Sequence, residues 1–241
     1  GLIVCRACPL ADARTRVVPA FGVWPARLLM IGEAPGVDED SQGAPFVGRS
    51  GILLKAVMAE VGLDFNLAVL TNVNRCRPPN NREPTEREKA ACRPWLDLDI
   101  ATVDPDVIVP LGATAYRAFL PDEPSSITEI HGHVYRRVIA GRERVIVPTV
   151  HPAFVARNQP ANRPLFTADL ARTKEILDGR YQDPQPFRVT AASLVEMEEL
   201  VRRGNHFAFD VETDGLHRTA RIVGVGASDT ERSGPEYQSW V

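Results

Sequence analysis

The four cysteines of this 241-residue chain stand in two groups that one metal site could join. Cys5 and Cys8 form a C-x2-C pair near the start, and Cys76 and Cys92 follow much later with C-x15-C spacing. Four thiolates can hold zinc or an iron–sulfur cluster. Zinc ribbons usually have two tight pairs and this chain has one, so the spacing favours a cluster held between separate elements. Zinc and four unrelated buried thiols stay open as alternatives.

Three polar side chains directly follow or end short apolar runs. Glu33 lies in GEAPG after RLLMIG, Asn72 ends LAVLTN, and His151 follows RVIVPTV. If these runs are parallel strands, their carboxyl ends share the edge at which open α/β sheets bind ligands. A carboxylate, an amide and an imidazole there could hold a ligand by hydrogen bonds and take part in acid–base chemistry. Each residue alone also has a structural interpretation: a glycine turn, a strand-end cap and a buried histidine.

Four apolar runs predict the strands that position these side chains. Residues 27–32, 67–73, 106–112 and 144–150 are short and rich in β-branched residues, as buried strands are. Helical patterns lie between them, which predicts an α/β fold with a mainly parallel four-stranded sheet between helices. The stretch YRRVI-AGRE-RVIVP predicts a hairpin that leads into the last strand.

The helix boundaries are predicted from capping residues. One helix is expected to start after Ser50, and a second to open with Thr85 and Glu88 in capping-box spacing. Pro94 should kink or restart that second helix, because proline lacks the backbone donor. A last amphipathic helix, LFTADLARTKEILDG, is expected to end at Gly179.

Composition and charge narrow the class of protein. No apolar run approaches the roughly 18 residues of a membrane span, and the start of the chain carries no secretion signal. We therefore expect a cytoplasmic protein without membrane contact, and the missing initial Met predicts a piece of a longer protein. Residues 131–163 hold six arginines against one acid, Glu143. This indicates a basic face for a polyanion, with a solvated arginine-rich surface as the alternative.

Three separated motifs resemble those of the family 4 uracil-DNA glycosylases. They are IGEAPGVDEDSQGAPFVGRSG, TNVNRCRPPNNREPTEREKAAC and PTVHPAFVAR, and with the four cysteines the resemblance covers about residues 1–178. It implies a three-layer α/β/α fold and an enzyme that flips uracil out of DNA and hydrolyses its N-glycosidic bond. It also implies uracil-containing DNA as the partner and a 4Fe–4S cluster on Cys5, Cys8, Cys76 and Cys92.

The same resemblance implies roles for residues in the motifs. The catalytic positions are Glu33, Glu39, Asn81 and His151, and the substrate-binding positions are Gly32, Phe46, Asn72 and Arg157. Carboxylates near the sugar favour the oxocarbenium-like state through which the bond breaks, which is the role implied for Glu33 and Glu39. Asn81 would hold the sugar or the catalytic water.

Base recognition is implied for three of these residues. Phe46 would be the platform under the flipped base, and the amide of Asn72 would match the O4 and N3–H edge of uracil, which cytosine presents in reverse. His151 would donate to uracil O2 and stabilise the leaving anion. The loop after His151 would press into the DNA, with Arg157 and Arg163 contacting phosphates.

The end of the chain predicts a second, incomplete domain. RYQDPQPF is polar and has two prolines, which predicts a linker at 180–187 between a glycosylase domain at 1–179 and a segment at 188–241. In that segment we expect a helix over SLVEMEELVRRG and strands over HFAFDVETDG and RIVGVGAS.

Two acids on the first of these strands, Asp210 and Glu212, resemble the opening motif of DnaQ-like 3′–5′ exonucleases, whose fold is RNase H-like α/β. Such a site binds Mg²⁺ or Mn²⁺ through acids from several elements, and the second acid pair would lie beyond Val241. We therefore expect these 241 residues to lack exonuclease activity and to be the front of a bacterial or phage DNA polymerase. Solvated turn residues are the alternative for the two acids. For the whole chain, the alternatives are a metal-bound nucleic-acid-binding module and an inactive front part of a proofreading nuclease.

Overall fold

A computed structural model of the chain describes residues 1–157, 159–183, 207–213 and 222–229. Contacts divide the chain into two units, Gly1–Tyr181 and Gln182–Val241. No helix in the described ranges is both long and apolar enough to cross a membrane.

The first unit is built on a five-stranded sheet. Its strands are β1 (Leu28–Gly32), β2 (Ala68–Asn72), β3 (Val107–Pro110), β4 (Tyr135–Ile139) and β5 (Arg142–Ile146), in the order β2-β1-β3-β5-β4. β1, β2, β3 and β5 are parallel, and β4 is antiparallel to β5. The mainly parallel sheet is confirmed, but the prediction of four strands was wrong. The first arm of the predicted hairpin adds a fifth strand, because it pairs with β5 along its whole length.

The strands that carry the site are buried on both faces. Every residue of β1, β2 and β3 is buried, which explains why their sequences are continuous apolar runs and not alternating patterns. β4 forms one edge, and its middle residues, 136–138, are exposed. Two of these are arginines, and charged side chains are typical of edge strands because they discourage pairing with another chain.

Helices on both faces of the sheet give the predicted three layers. They are α1 (Leu10–Ala13), α2 (Val37–Gln42), α3 (Arg49–Glu60), α4 (Glu86–Val103), α5 (Ala113–Arg117), α6 (Ile127–Ile130), α7 (Pro152–Arg157) and α8 (Gln159–Leu177). Short 3-10 helices span Leu2–Val4, Phe65–Leu67 and Pro79–Asn81. Met30 of β1 packs in one apolar cluster with Leu54 of α3. Its neighbour Ile31 packs in a second cluster with Leu96 of α4, as the two-residue period of a strand requires.

Helix α4 confirms the predicted capping box. The Thr85 N–H donates to Glu88 Oε2 at 2.8 Å, and the Glu88 N–H donates to Thr85 Oγ1 at 3.3 Å. The predicted kink or restart at Pro94 was wrong, because the helix continues as one element to Val103. An internal proline costs about 3 kcal/mol, whereas each buried apolar side chain that follows it, such as Leu96, contributes about 1.5–3 kcal/mol.

The boundaries of two other helices were predicted with mixed success. Helix α3 begins at Arg49 after an extended Gly48, so the predicted start after Ser50 was wrong. The Gly48 N–H donates to Glu39 Oε1 at 2.9 Å, which fixes the chain two residues before the expected cap. Helix α8 ends at Leu177, and the predicted stop is confirmed, because Gly179 follows with a left-handed φ of +70°.

In the second unit, the described residues form an antiparallel pair of strands, β6 (Phe207–Thr213) and β7 (Ile222–Asp229). Both fall almost wholly within the predicted strands. Asp210 and Glu212 are two positions apart on β6, so they occupy positions on one face of that strand. The predicted helix at 193–204, and residues 184–187 of the predicted linker, lie outside the described residues.

Candidate active site and cysteine pocket

A cavity of about 440 Å³ opens where the parallel strands of the sheet end. Glu33 follows β1, Asn72 ends β2, Gly112 follows β3 and His151 precedes α7, so the shared strand edge brings them together as the sequence predicts. Seven of the eight predicted site residues line this cavity: Glu33, Glu39, Phe46, Asn72, Asn81, His151 and Arg157. The eighth, Gly32, lies directly behind its wall.

Gly32 permits the close approach of two lining residues. It lies opposite Asn72 in the β1–β2 register. A Cβ atom on Gly32 would collide with Asn72 Oδ1 and would lie 2.9 Å from Phe46 Cζ. The missing side chain therefore sets where the amide and the ring stand in the cavity.

We predict that Gly32→Ala lowers the activity of this site by about 100-fold while the protein stays folded. The added methyl forces Asn72 and Phe46 to move, and overpacking of this kind costs roughly 1–3 kcal/mol. A misplacement of about 1 Å in a site can cost on the order of 100-fold in rate. Single-turnover kinetics measure the loss, and circular dichroism reports the fold. A folded Gly32→Ala protein with the wild-type rate would show that the amide and the ring need not stand where they do.

Asn72 and Phe46 present a polar edge and an apolar face to the cavity. Asn72 is 4% exposed, and in the described part of the chain its side-chain amide makes no hydrogen bond. Phe46 is 5% exposed and is held at φ +54°, a conformation rare for a large side chain. The amide of Asn72 is therefore free to hydrogen-bond a group inside the cavity.

The two candidate carboxylates differ in how they are held. Glu33 Oε2 accepts a hydrogen bond from Thr114 Oγ1 at 2.6 Å, and in the described residues its other oxygen has no donor. Glu39 binds backbone with both oxygens, accepting from the N–H groups of Gly36 at 3.1 Å and Gly48 at 2.9 Å. Glu39 therefore closes the loop around the cavity, whereas Glu33 has an oxygen left for substrate or water.

His151 is held as a neutral imidazole. Burial lowers the pKa of His151 to about 4, and the charge of Arg157 acts in the same direction. Its Nδ1 accepts a hydrogen bond from the Ala153 N–H at 3.0 Å. Because Nδ1 is an acceptor, the ring proton resides on Nε2, which makes that nitrogen a donor. Gly112 stands close by, since a Cβ there would lie 3.0 Å from His151 Cβ.

The remaining predicted polar residues lie at the rim. Asn81 is exposed and accepts from Arg77 Nε at 2.7 Å, and Arg157 at the end of α7 is exposed. Arg163 forms an ion pair with Glu60 at 2.7 Å. Arg157 is thus the better placed of the two predicted phosphate contacts.

The predicted basic face at 131–163 is smaller than its composition suggested. Arg142 and Arg144 form ion pairs with Asp104, and Arg142 also pairs with Asp106. These acids lie outside the segment in sequence, so a local count of charges missed them. Arg144 is 2% exposed, which leaves it unable to contact a polyanion.

All four cysteines line a second, smaller pocket. With them stand two arginines, and the lining residues are Leu2, Cys5, Ala7, Cys8, Ala11, Arg14, Arg75, Cys76, Ala91, Cys92 and Trp95. The chain thus brings the two cysteine groups together from the N-terminal segment, the loop after β2 and helix α4. The alternative of four unrelated thiols does not predict this grouping in one pocket.

Two N–H donors are directed at sulfur in this pocket. Arg14 donates to Cys76 Sγ at 3.1 Å and to the Cys5 carbonyl at 2.7 Å. The Arg75 backbone N–H lies 3.3 Å from Cys92 Sγ. Burial raises the pKa of the Cys76 thiol and raises that of Cys92 to about 11, so loading a metal there must release protons.

The donor set of this pocket fits an iron–sulfur cluster. Four thiol side chains from separate elements line it. A cluster spreads its four thiolates around a larger body, and N–H···S bonds like those of Arg14 and Arg75 are typical around such clusters.

Arg75 joins the cysteine pocket to the cavity. Its side chain is 1% exposed and forms an ion pair with Asp99. It also donates to the Asn72 carbonyl at 2.6 Å and to the Thr71 hydroxyl. Since Cys76 follows Arg75 directly, a cysteine of the pocket and the cavity-lining Asn72 belong to one segment that Arg75 holds in place.

Sequence reasoning missed Thr114, Glu83 and Arg14. Thr114 contacts both Glu33 and Glu83, and the contact with Glu33 joins side chains far apart in the chain. One signal could have identified Thr114: it follows the end of β3 by four residues, at the sheet edge where the other site residues were sought.

Comparison with known proteins agrees with this arrangement. A model of the Uracil DNA glycosylase superfamily matches residues 19–173, and this span contains the cavity and two of the four cysteines. The fold is therefore that of this superfamily.

Relatives of this chain narrow the class. A type-4 uracil-DNA glycosylase of Thermotoga maritima is 40% identical over 174 residues, which cover 72% of the chain and 89% of the relative. A type-4 uracil-DNA glycosylase of Sulfurisphaera tokodaii is 38% identical over 179 residues, covering 73% and 81%. A DNA polymerase of Bacillus phage SP01 is 32% identical over 172 residues, which are 71% of the chain but only 18% of the polymerase. The chain belongs to the type-4 uracil-DNA glycosylases.

Proposed function

We propose that this chain removes uracil from DNA by hydrolysing the N-glycosidic bond and leaving an abasic site. One observation carries the proposal: the unpaired amide of the buried Asn72 faces a cavity that also holds the Phe46 ring and the neutral His151. The cavity volume of about 440 Å³ is in the range of small-molecule sites. The type-4 relatives support the same activity.

The base enters this cavity by flipping, because its glycosidic bond is out of reach inside a duplex. Phe46 then stacks against one face of the base. The Asn72 amide donates to O4 and accepts from N3–H, a pattern that cytosine presents in reverse. Recognition of one edge by a buried amide also penalises a wrong base, because the amide would be left unpaired.

Bond cleavage places positive charge on the sugar and negative charge on the base. The Glu33 carboxylate stabilises the sugar and orients the water that attacks it, using the oxygen that Thr114 leaves free. The Nε2–H of His151 donates to O2 of the leaving base. A neutral donor suits this task, since it stabilises the anion without protonating it in advance.

DNA contacts come from the rim of the cavity. Helix α7 begins next to His151 and ends at the exposed Arg157, so its turn lies where a strand must open to release a base. Phe154 on the same helix is 41% exposed. Arg157 contacts phosphate in this proposal, which positions the strand without reading its sequence.

Cys5, Cys8, Cys76 and Cys92 hold a 4Fe–4S cluster in this proposal. Its contribution is structural cross-linking, because hydrolysis of a glycosidic bond moves no electrons. Arg75 links this cross-linked segment to Asn72, because its guanidinium donates to the Asn72 carbonyl at 2.6 Å.

The SP01 relative supports a further proposal, that the parent protein is a DNA polymerase with this glycosylase as its front module. Asp210 and Glu212 then belong to its exonuclease domain and bind Mg²⁺ or Mn²⁺ there. The nuclease role of the second unit stays a prediction.

We predict that His151→Ala lowers the single-turnover rate of excision by about 10- to 1000-fold, the range of one lost oxyanion donor.

In the wild type, the pKa of about 4 keeps His151 neutral, so its ionisation should not change the rate between pH 5.5 and 8. The folded pKa lies below the ordinary 6.5, so the stability that neutral His151 contributes is full above pH 6.5 and is lost as the pH falls toward 4. An inflection near pH 6.5 that vanishes in His151→Ala would contradict a neutral donor.

The proposed activity is tested by measuring free uracil. Uracil-containing DNA is incubated with the iron-loaded protein, and the released base is quantified by mass spectrometry. We expect uracil and an alkali-sensitive strand in equal amounts. A cut strand without free uracil would indicate a nuclease instead.

A further inference from the structure

Thr114 stands between two carboxylates, one of which, Glu33, lines the cavity. Its Oγ1 lies 2.6 Å from Glu33 Oε2 and 3.1 Å from Glu83 Oε1. The residue is 5% exposed and occupies the second position of α5, two residues after Gly112. We propose that Thr114 is a positioning residue for the reaction and that its hydroxyl fixes the Glu33 carboxylate toward the bound sugar. This inference rests on the proposed function.

The direction of the hydroxyl proton follows from the surroundings of Glu83. A threonine hydroxyl has one proton, so it can donate fully to only one of the two carboxylates. Lys89 donates to Glu83 Oε1 at 2.7 Å, and this contact is the first cause of the lowered pKa of Glu83. Glu83 is therefore ionised and already has a cationic donor. The contact of 2.6 Å to Glu33 has the length of a charge-assisted O–H···O⁻ bond, whereas 3.1 Å is long for one.

The consequence for Glu33 is a fixed orientation. In the described part of the chain, Thr114 is the one side-chain donor to its carboxylate. With Oε2 bound, the second oxygen of Glu33 is the one available to the cavity. Without the hydroxyl, nothing described in the structure prevents the carboxylate from rotating.

The turn that carries Thr114 is itself built against the site. Gly112 has φ +90°, which favours glycine, and a Cβ there would lie 3.0 Å from His151 Cβ. The segment after β3 thus passes closely behind His151 and then presents its hydroxyl to Glu33. The turn from Gly112 to Thr114 therefore contacts both His151, on the base side of the glycosidic bond, and Glu33, on the sugar side.

Two matched variants separate the hydroxyl from the shape of the side chain. Thr114→Val keeps the shape and removes the donor, and Thr114→Ser keeps the donor. We expect Thr114→Val to lower the single-turnover rate of excision by about 10- to 100-fold, the effect of one lost hydrogen bond to a charged group. The DNA concentration at half-maximal rate should stay unchanged. Thr114→Ser should stay within about 3-fold of the wild type, since it retains the bond.

A double-mutant cycle tests whether Thr114 acts through Glu33. In a Glu33→Gln background, Thr114→Val should cause no further loss, because interacting residues are not additive. A wild-type rate for Thr114→Val, an equal loss for Thr114→Ser, or the same loss with and without Glu33 would each overturn the inference. If Thr114→Val fails to fold by circular dichroism, Thr114→Ala, which only removes atoms, takes its place in the cycle. An inactive wild type would instead contradict the proposed function itself.

Discussion

Cys76→Ala is expected to yield protein without its complement of iron and sulfide and with excision lowered by on the order of 100-fold or more. Cys76 follows Arg75, whose guanidinium holds the carbonyl of Asn72 at 2.6 Å. Loss of the ligand therefore frees the segment that aims the base-recognising amide. The free energy of unfolding should fall as well, because a structural metal group contributes to folding directly.

The size of the stability effect can be estimated. For 150–250 residues, each kcal/mol shifts the midpoint temperature by about 2–4 °C, so a loss of several kcal/mol lowers Tm by on the order of 10 °C. Calorimetry measures the fall in Tm, and visible absorbance measures the loss of the cluster. Substitution of Cys5, Cys8 or Cys92 should give the same loss of absorbance if all four cysteines bind one group. An iron-free Cys76→Ala protein with full activity would contradict the structural role, and a colourless zinc protein would contradict the cluster.

Asn72→Ala is expected to lower uracil excision by about 1000-fold or more without unfolding the protein. The amide supplies both the donor and the acceptor for the uracil edge, and a site that hydrogen-bonds its substrate loses on the order of 10⁴ when such a pairing fails. In the described residues the amide bonds to no protein group, so its removal breaks no internal contact.

Asn66→Ala is the matched control for that variant. Asn66 is exposed in the 3-10 helix before β2, and its backbone N–H, not its side chain, caps the turn through Asp64 at 2.9 Å. This control should keep the wild-type rate and Tm. Excision by Asn72→Ala at a rate equal to that of Asn66→Ala would remove the basis for base recognition by Asn72.

The sequence was sufficient to predict which residues meet at the sheet edge. It was insufficient to predict which side chains hydrogen-bond to each other there. Runs such as 28–32 and 68–72 are apolar throughout because both faces of the strands are buried, and this identified them as central strands. The rule that ligands bind where parallel strands end then placed Glu33, Asn72 and His151 together. No local pattern links Thr114 to Glu33, because that contact depends on how β1 and β3 align.

Errors in the prediction have similar physical causes. Ser50 was a reasonable cap by residue type, but Glu39 binds the Gly48 N–H and moves the helix start. Pro94 stays within α4 because tertiary packing outweighs a local propensity. The role of Arg75 has no local sequence signal, because its buried fork binds the Asn72 carbonyl together with Asp99, which lies on another element; a point charge on a flexible stem could not bind both at once.

A pair of labelled oligonucleotides tests the central claim most directly. They are identical except for one uracil or cytosine, and each is incubated with the iron-loaded wild-type protein and with Asn72→Ala before alkaline treatment. We predict a strand break at the uracil position with the wild type alone, and none at cytosine with either protein. Uracil strands left intact by the wild type, or cut equally well by Asn72→Ala, would contradict the account that this cavity recognises and excises uracil.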